Sequence, residues 1–452
     1  MKVMDKKLVV ALLSANASAV TLYGDPSNGN IYYQPGEGRE IIELDSKEKK
    51  SITVMNKKSQ DFLLGKQTQI NMKFVPDDND DMWFKAGVRV QGTFESKDTE
   101  KYNNDGSVKS DEKINDAYLR RVRLEISAGF GEHSSFVMDL RNDKSNYGIE
   151  NEEGTFNLGD AYLKISKPFD NSLVNFKLYR AKIDVSRTET VKSARLISYD
   201  RPYVADAAAQ YISFNRRGAN AQMYGDWKKK IHYQVAIGSA SNPDKTIDAR
   251  GVKGSSVSIE LDKQSLFYGG KIILSPFDGW EETQRTETYF GEGKHFSIGA
   301  AYWAIPTMKG TAEAQGNTMD FDLNRELINI ELSAHYQGFF IQGEYFKFKD
   351  TIQQWDLGYN GEVETGTSSG WYVTSEYVIK DLNYLAPFVR YENWDRFDGE
   401  SGYDLKSTLM GLNWYLRGNT TKVGVVAQRD KFGRETGNKE VESLRLTSQW
   451  FF

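Results

Sequence analysis

From Trp83 to the end of the chain, apolar and polar side chains alternate in segments of about ten residues, the period-two signature of strands with one greasy and one wet face. In the first segment Phe84, Ala86, Val88, Val90 and Phe94 share one face, and Lys85, Arg89, Gln91 and Thr93 share the other. The split recurs with Val122, Leu124 and Ile126 against Arg121, Arg123 and Glu125, and with Phe136, Met138 and Leu140 against Asp139 and Arg141. Late in the chain Ile328, Ile330, Leu332, Ala334 and Tyr336 oppose Asn329, Glu331, Ser333 and His335. Leu444, Leu446, Trp450 and Phe452 oppose Arg445, Thr447 and Gln449. Such segments begin near residues 83, 117, 134, 159, 173, 217, 231, 265, 295, 327, 339, 371, 384, 406, 421 and 442. The pattern predicts an all-β, 16-stranded antiparallel transmembrane β-barrel over residues 81–452.

The connections predict two unlike rims. Short turns at Gly129 to Gly131, Gln337-Gly338 and Arg417 to Thr420 alternate with longer polar loops expected after about residues 95, 142, 182, 240, 306, 349, 395 and 430. The stretch from Pro276 to Lys294 breaks this rule, because it falls where a short turn belongs and is far too long for one. Trp83, Trp280, Trp303, Trp371, Trp394 and Trp450 lie near segment ends and are expected to form aromatic girdles at the membrane interfaces. Gly269-Gly270 is expected to let its strand bend.

Before the barrel, Lys2, Lys6 and Lys7 precede the apolar run Leu8 to Leu13, and Ala17-Ser18-Ala19 supplies small residues for cleavage. Residues 1–19 therefore read as a signal peptide and residues 20–80 as a polar extension. No stretch approaches the roughly 18 apolar residues of a membrane helix, so a spanning chain must use strands. Aromatics at 13% set the chain apart from disordered sequences, and a net charge of -5 gives no basic footprint for nucleic acid. With no cysteine there is no disulfide, thiolate metal site or cysteine nucleophile.

Asp116 to Ser127 (DAYLRRVRLEIS), Gly159 to Ser166 (GDAYLKIS), Gly338 to Phe346 (GFFIQGEYF), Gly411 to Leu416 (GLNWYL) and the closing Leu444 to Phe452 (LRLTSQWFF) together resemble the phosphate-selective porin O and P family. The resemblance implies a passive outer-membrane porin, a homotrimer of 16-stranded barrels, in which the third long loop folds inward to narrow the pore. Lys182 to Ile212 occupies that place here. It further implies small anions such as phosphate as permeants, outer-membrane lipids as surroundings, and barrel-assembly machinery reading the terminal aromatic residue. No cofactor, metal or catalytic residue is implied.

Between Val185 and Arg217 six basic residues, Arg187, Lys192, Arg195, Arg201, Arg216 and Arg217, face three acidic ones, Glu189, Asp200 and Asp206. Guanidinium groups in a narrow, partly dehydrated passage can replace an oxyanion's water with forked hydrogen bonds. Arg187, Lys192, Arg195 and Arg201 on the loop, with Arg89, Arg121, Arg123 and Arg141 on the wall, are therefore the candidate constriction and anion-binding residues. Lumen arginines can equally pair with acids across the barrel. Glu331, Glu344, Glu376 and Glu392, expected inside on later strands, would oppose the basic side with a transverse field.

Other readings stay open at this point: a general or weakly cation-selective porin, a plugged barrel acting as a surface anchor, or an outer-membrane hydrolase. A hydrolase needs a nucleophile or an activated water with a positioned base. The four histidines, His133, His232, His295 and His335, fall in no catalytic or metal motif.

Overall fold

A chain whose side chains alternate in polarity needs a greasy surface on one side and water on the other, with every intervening backbone group paired. A sheet closed on itself meets both demands. The computed structural model describes residues 82–451 apart from 132, 146–154, 243–257, 278–285, 291–293, 315–316, 356–363 and 400, together with short strands before residue 82. Its 16 antiparallel strands close into one barrel. We number the wall strands β1 (Met82–Tyr102), β2 (Val108–Phe130), β3 (Ser134–Ser145), β4 (Asn157–Ile165), β5 (Asn175–Arg180), β6 (Ala219–Trp227) and β7 (Ile231–Gly238). There follow β8, in two pieces (Ser258–Gln264 and Phe267–Leu274), β9 (Lys294–Ala314), β10 (Asn317–Tyr336), β11 (Phe339–Trp355) and β12 (Glu364–Tyr377). The last are β13 (Leu385–Asp395), β14 (Asp404–Asn419), β15 (Thr421–Phe432) and β16 (Lys439–Phe451). β16 pairs with β1 and closes the wall.

The expected facing holds along the wall. Phe94, Ile330 and Leu444 are exposed on the outer face, whereas Arg89, Gln91, Asn329, Glu331, Arg445 and Gln449 are buried inside. At the short-turn rim Gln337 and Gly338 take the left-handed conformation, with φ of 47° and 89°. Such a two-residue turn matches the twist of a tight hairpin.

Two expectations are corrected. The loops expected after residues 95, 306 and 349 are instead continuations of paired strand: β1 runs to Tyr102, β9 to Ala314 and β11 to Trp355, and β2, β10 and β12 start well before their alternation does. These extensions carry ion pairs such as Lys309–Asp322 at 2.6 Å and Lys349–Glu326 at 2.9 Å. The β1–β2 ribbon has mainly polar side chains and shows no alternation to read, whereas β9 and β10 invert it, burying Met308, Ala312, Phe321 and Leu323 inside. Trp303 and Trp394 do not belong to an outer girdle; they face inward, buried in the lumen core, while Trp371 and Trp450 are on the outside. β8 is interrupted at Ser265-Leu266. Gly269 makes room for Trp303, whose ring edge would lie 2.5 Å from any Cβ added there. The signal peptide, and the extension apart from the short strands within it, lie outside the described residues, as do Trp280 and Phe452.

The facing predicts a depth-dependent cost for charge on the outer surface. Ile330→Arg should destabilise the barrel by roughly 2–4 kcal/mol if it sits near the midplane, read by denaturant unfolding in lipid vesicles.

Candidate functional site

The chain between β5 and β6, residues 181 to 218, runs inside the barrel and carries two helices, α1 (Arg187–Thr190) and α2 (Tyr203–Ile212). α2 can lie close to the wall because its inner side is small: Val204, Ala205, Ala208, Ala209 and Ile212 are fully buried with the wall residues Trp303, Phe346, Phe348, Tyr372 and Trp394. The first N–H groups of a helix lack partners within it, and wall carboxylates supply them. Glu392 accepts from the backbone N–H of Tyr203 at 3.0 Å and Val204 at 2.7 Å. Glu344 accepts from those of Arg187 at 3.1 Å and Thr188 at 2.9 Å. At the other end of α2, Tyr211 donates its hydroxyl to Asp350 at 2.5 Å, and Asp350 is also bound by Arg325.

This corrects the expected transverse field. Glu331, Glu344, Glu376 and Glu392 do face inward, but all four are buried, Glu344 and Glu392 against the loop backbone. Glu331 pairs with Lys271 at 2.5 Å, Glu376 accepts from Tyr415 at 2.6 Å, and none reaches the open part of the lumen.

The loop leaves a cavity of about 810 Å³ against the wall formed by β1 to β5, β15 and β16, lined by fourteen basic and nine acidic side chains. Cross-strand register places Arg89 opposite Arg123 and Arg123 opposite Arg141. Three like charges in a row repel unless counter-charge is supplied. Arg89 is matched by Glu125 at 2.8 Å, and Arg123 by Asp143 at 2.6 Å. Arg141 lines the cavity with no comparable ion pair among the described residues, and Lys177 sits 4.4 Å from the ring centres of both Tyr162 and Tyr179.

Six of the eight candidate residues line this cavity: Arg89, Arg121, Arg123, Arg141, Lys192 and Arg201. Arg121 donates to Gln91 at 2.8 Å and to the Tyr199 carbonyl, Lys192 reaches Glu125 at 3.1 Å, and Arg201 donates to the carbonyls of Thr188 and Val191. Arg187 and Arg195 lie outside the cavity lining. Arg187 is buried beneath the loop, where it donates to the Thr286 carbonyl at 2.7 Å. Sequence reasoning passed over Arg120. The register of β2 against β1 slips there, so the bulged Arg120 joins Arg121 in lining the cavity. A bulge leaves no mark in a period-two count. Arg120 and Arg445 both bind Asp200, whose carboxyl burial would raise but which these arginines, with Arg121 and Arg390, hold well below the ordinary range.

A closed 16-stranded wall narrowed by an inward loop defines a porin of the bacterial outer membrane. The chain belongs to the phosphate-selective porin O and P family, which it matches over residues 84–441. An uncharacterized protein of Aquifex aeolicus (strain VF5) is 24% identical over 369 residues, covering 75% of this chain and 80% of the relative. Among solved structures, the outer membrane channel DcaP of Acinetobacter baumannii superposes with a TM-score of 0.53 at 12% identity, covering 84% of this chain and 99% of that one. The anion-selective porin from Comamonas acidovorans gives 0.51 at 11% identity, covering 82% and 100%. At these identities the likeness is one of fold.

Glu189 ties the loop to itself, bound by Lys182 at 2.6 Å and Arg216 at 2.7 Å, with Arg201 at 3.5 Å. Burial raises its pKa, but Arg216, Lys182 and Arg201 outweigh burial and hold it at about 2. A carboxylate depressed in the folded state stabilises fully above its unfolded pKa, and that stabilisation fades as pH falls toward the folded value. Pepsin cleavage within residues 182–217 should therefore rise between about pH 4.5 and pH 2, and Glu189→Gln should make the loop equally susceptible at pH 4.5.

Proposed function

We propose that the protein is a passive diffusion channel that prefers small anions, oxyanions such as phosphate among them, exported by residues 1–19 and assembled in outer-membrane lipid as a homotrimer. The observation that carries the preference is the charge of the open lumen: fourteen basic against nine acidic side chains in a chain whose net charge is -5. An excess of fixed positive charge in a low-dielectric passage concentrates anions and repels cations. Arg141 and Lys177 are the groups best placed to act on a passing ion, because neighbouring carboxylates neutralise Arg89 and Arg123, whereas these two have no direct ion pair among the described residues. Guanidinium at Arg141, beside Arg123 in the next strand, offers forked donors to an oxyanion. The family's description names phosphate, in keeping with such a lining.

The reversal potential in a planar bilayer under a salt gradient tests the preference, and phosphate titration of the chloride current tests the oxyanion site. An anion-selective current blocked by phosphate is expected. The double variant Arg141→Gln with Lys177→Gln should lower the anion-to-cation permeability ratio several-fold and weaken the block. Cation selectivity of the parent protein would overturn the reading.

A further inference from the structure

Of the connection between β8 and β9, too long for its rim, the described residues Thr286 to Phe290 lie in the lumen. Thr286, Glu287, Thr288 and Phe290 are buried there, beneath the constriction loop and on the side opposite the rim from which that loop descends. Glu287 accepts from the Thr188 hydroxyl at 2.7 Å with one oxygen and from the Ile197 backbone N–H at 2.7 Å with the other. Its own N–H donates to the Arg195 carbonyl at 3.1 Å. The segment is itself anchored, since Asn419 on β14 donates to Thr286 at 3.2 Å and Phe290 meets Tyr415 edge to face at 5.0 Å.

We propose that Glu287 is a positioning residue for the constriction, holding the stretch from Thr188 to Ile197 in place from the short-turn rim. The inference rests on the channel reading. Between those two anchor points lie Lys192 and Ser193, which line the cavity. Lys192 meets Glu125 at 3.1 Å, and the Ser193 hydroxyl accepts from Arg89 at 3.1 Å. Glu344 fixes only the beginning of this stretch, at Arg187 and Thr188. Lys422 and Asn413 take carbonyls at its end, leaving the buried Ile197 N–H to Glu287. A buried donor deprived of its acceptor forces the local backbone to move toward another partner. Loss of the carboxylate would shift Lys192 and Ser193 relative to the wall, changing the width of the passage and the charge it presents. The pore is thus set from both rims.

The test compares Glu287→Ala and Glu287→Gln with the parent protein in planar bilayers. Glu287→Ala should change single-channel conductance at least about twofold and shift the anion-to-cation permeability ratio. Glu287→Gln, which keeps one acceptor oxygen, should fall between the two. A folded Glu287→Ala barrel with parental conductance and ratio overturns the proposal. If Glu287→Ala does not fold, Glu287→Gln is placed in a Ser193→Cys background, which holds the chain's sole cysteine, and the rate of modification by a charged methanethiosulfonate is measured. A several-fold change in rate supports the brace, and an unchanged rate overturns it. The thiol readout needs no ion current, so it separates failure of the brace from failure of the channel reading.

Discussion

The constriction depends on carboxylates of the wall meeting the first turns of helices in the loop. A buried backbone N–H without a partner costs about 1–3 kcal/mol, and the starts of α1 and α2 would each leave such groups inside the barrel. Glu344 and Glu392 take two apiece. The dependence is mutual, because a carboxylate buried on the wall is as costly without donors as the donors are without it. Wall and loop are each incomplete alone. Once the helix starts are fixed, the small residues of α2 meet Trp303, Phe348 and Trp394, and Asp350 receives Tyr211 and Arg325.

That anchoring decides where charge is available to solutes. The wall acids of β10 to β13 are buried, bonded to the loop backbone or to wall partners. Within the loop, Glu189 gathers Lys182, Arg201 and Arg216, so several of its cations hold it together before they can act on anything in the passage. Positive charge with no direct ion pair among the described residues therefore comes from the wall, as at Arg141 and Lys177. Buried pairs of this kind fix geometry better than they add stability.

The wall was legible in the sequence because lipid on one side and water or a packed lumen on the other impose a period of two on each strand, from Phe84 and Arg89 at the start to Leu446 and Gln449 at the end. Legibility failed where that contrast fails. The outer parts of β1 and β2 carry mainly polar side chains, so their pairing left no alternation, and in β9 and β10 the sense of the pattern inverts, with Met308, Ala312, Phe321 and Leu323 buried inside and Lys309 outside. Trp303 and Trp394 sit near segment ends like girdle residues, and only the loop packed on them makes the inside a home for tryptophan. The bulge at Arg120 adds a residue without changing composition. In the site, the sequence located the loop and most of the basic lining but not the use of each charge. Arg187 looks like any pore arginine until the segment at Thr286 is seen beneath it. That segment was visible only as a turn of the wrong length.

A wall of 16 strands encloses far more space than a partly hydrated small ion occupies, so the wall alone cannot discriminate. Narrowing by a loop helps selectivity only if the passage that remains runs past unbalanced charge. Here one set of contacts meets both conditions. The acids that seat the helices lie on β11 and β13, so the loop fills that side of the barrel and covers those acids as it does so. The space left open is against β1 to β5, β15 and β16, where the register stacks Arg89, Arg123 and Arg141 across neighbouring strands. Width and field are thereby linked: a change that unseats the helices would widen the passage and uncover negative charge together, so the two properties cannot be altered independently from that side of the lumen.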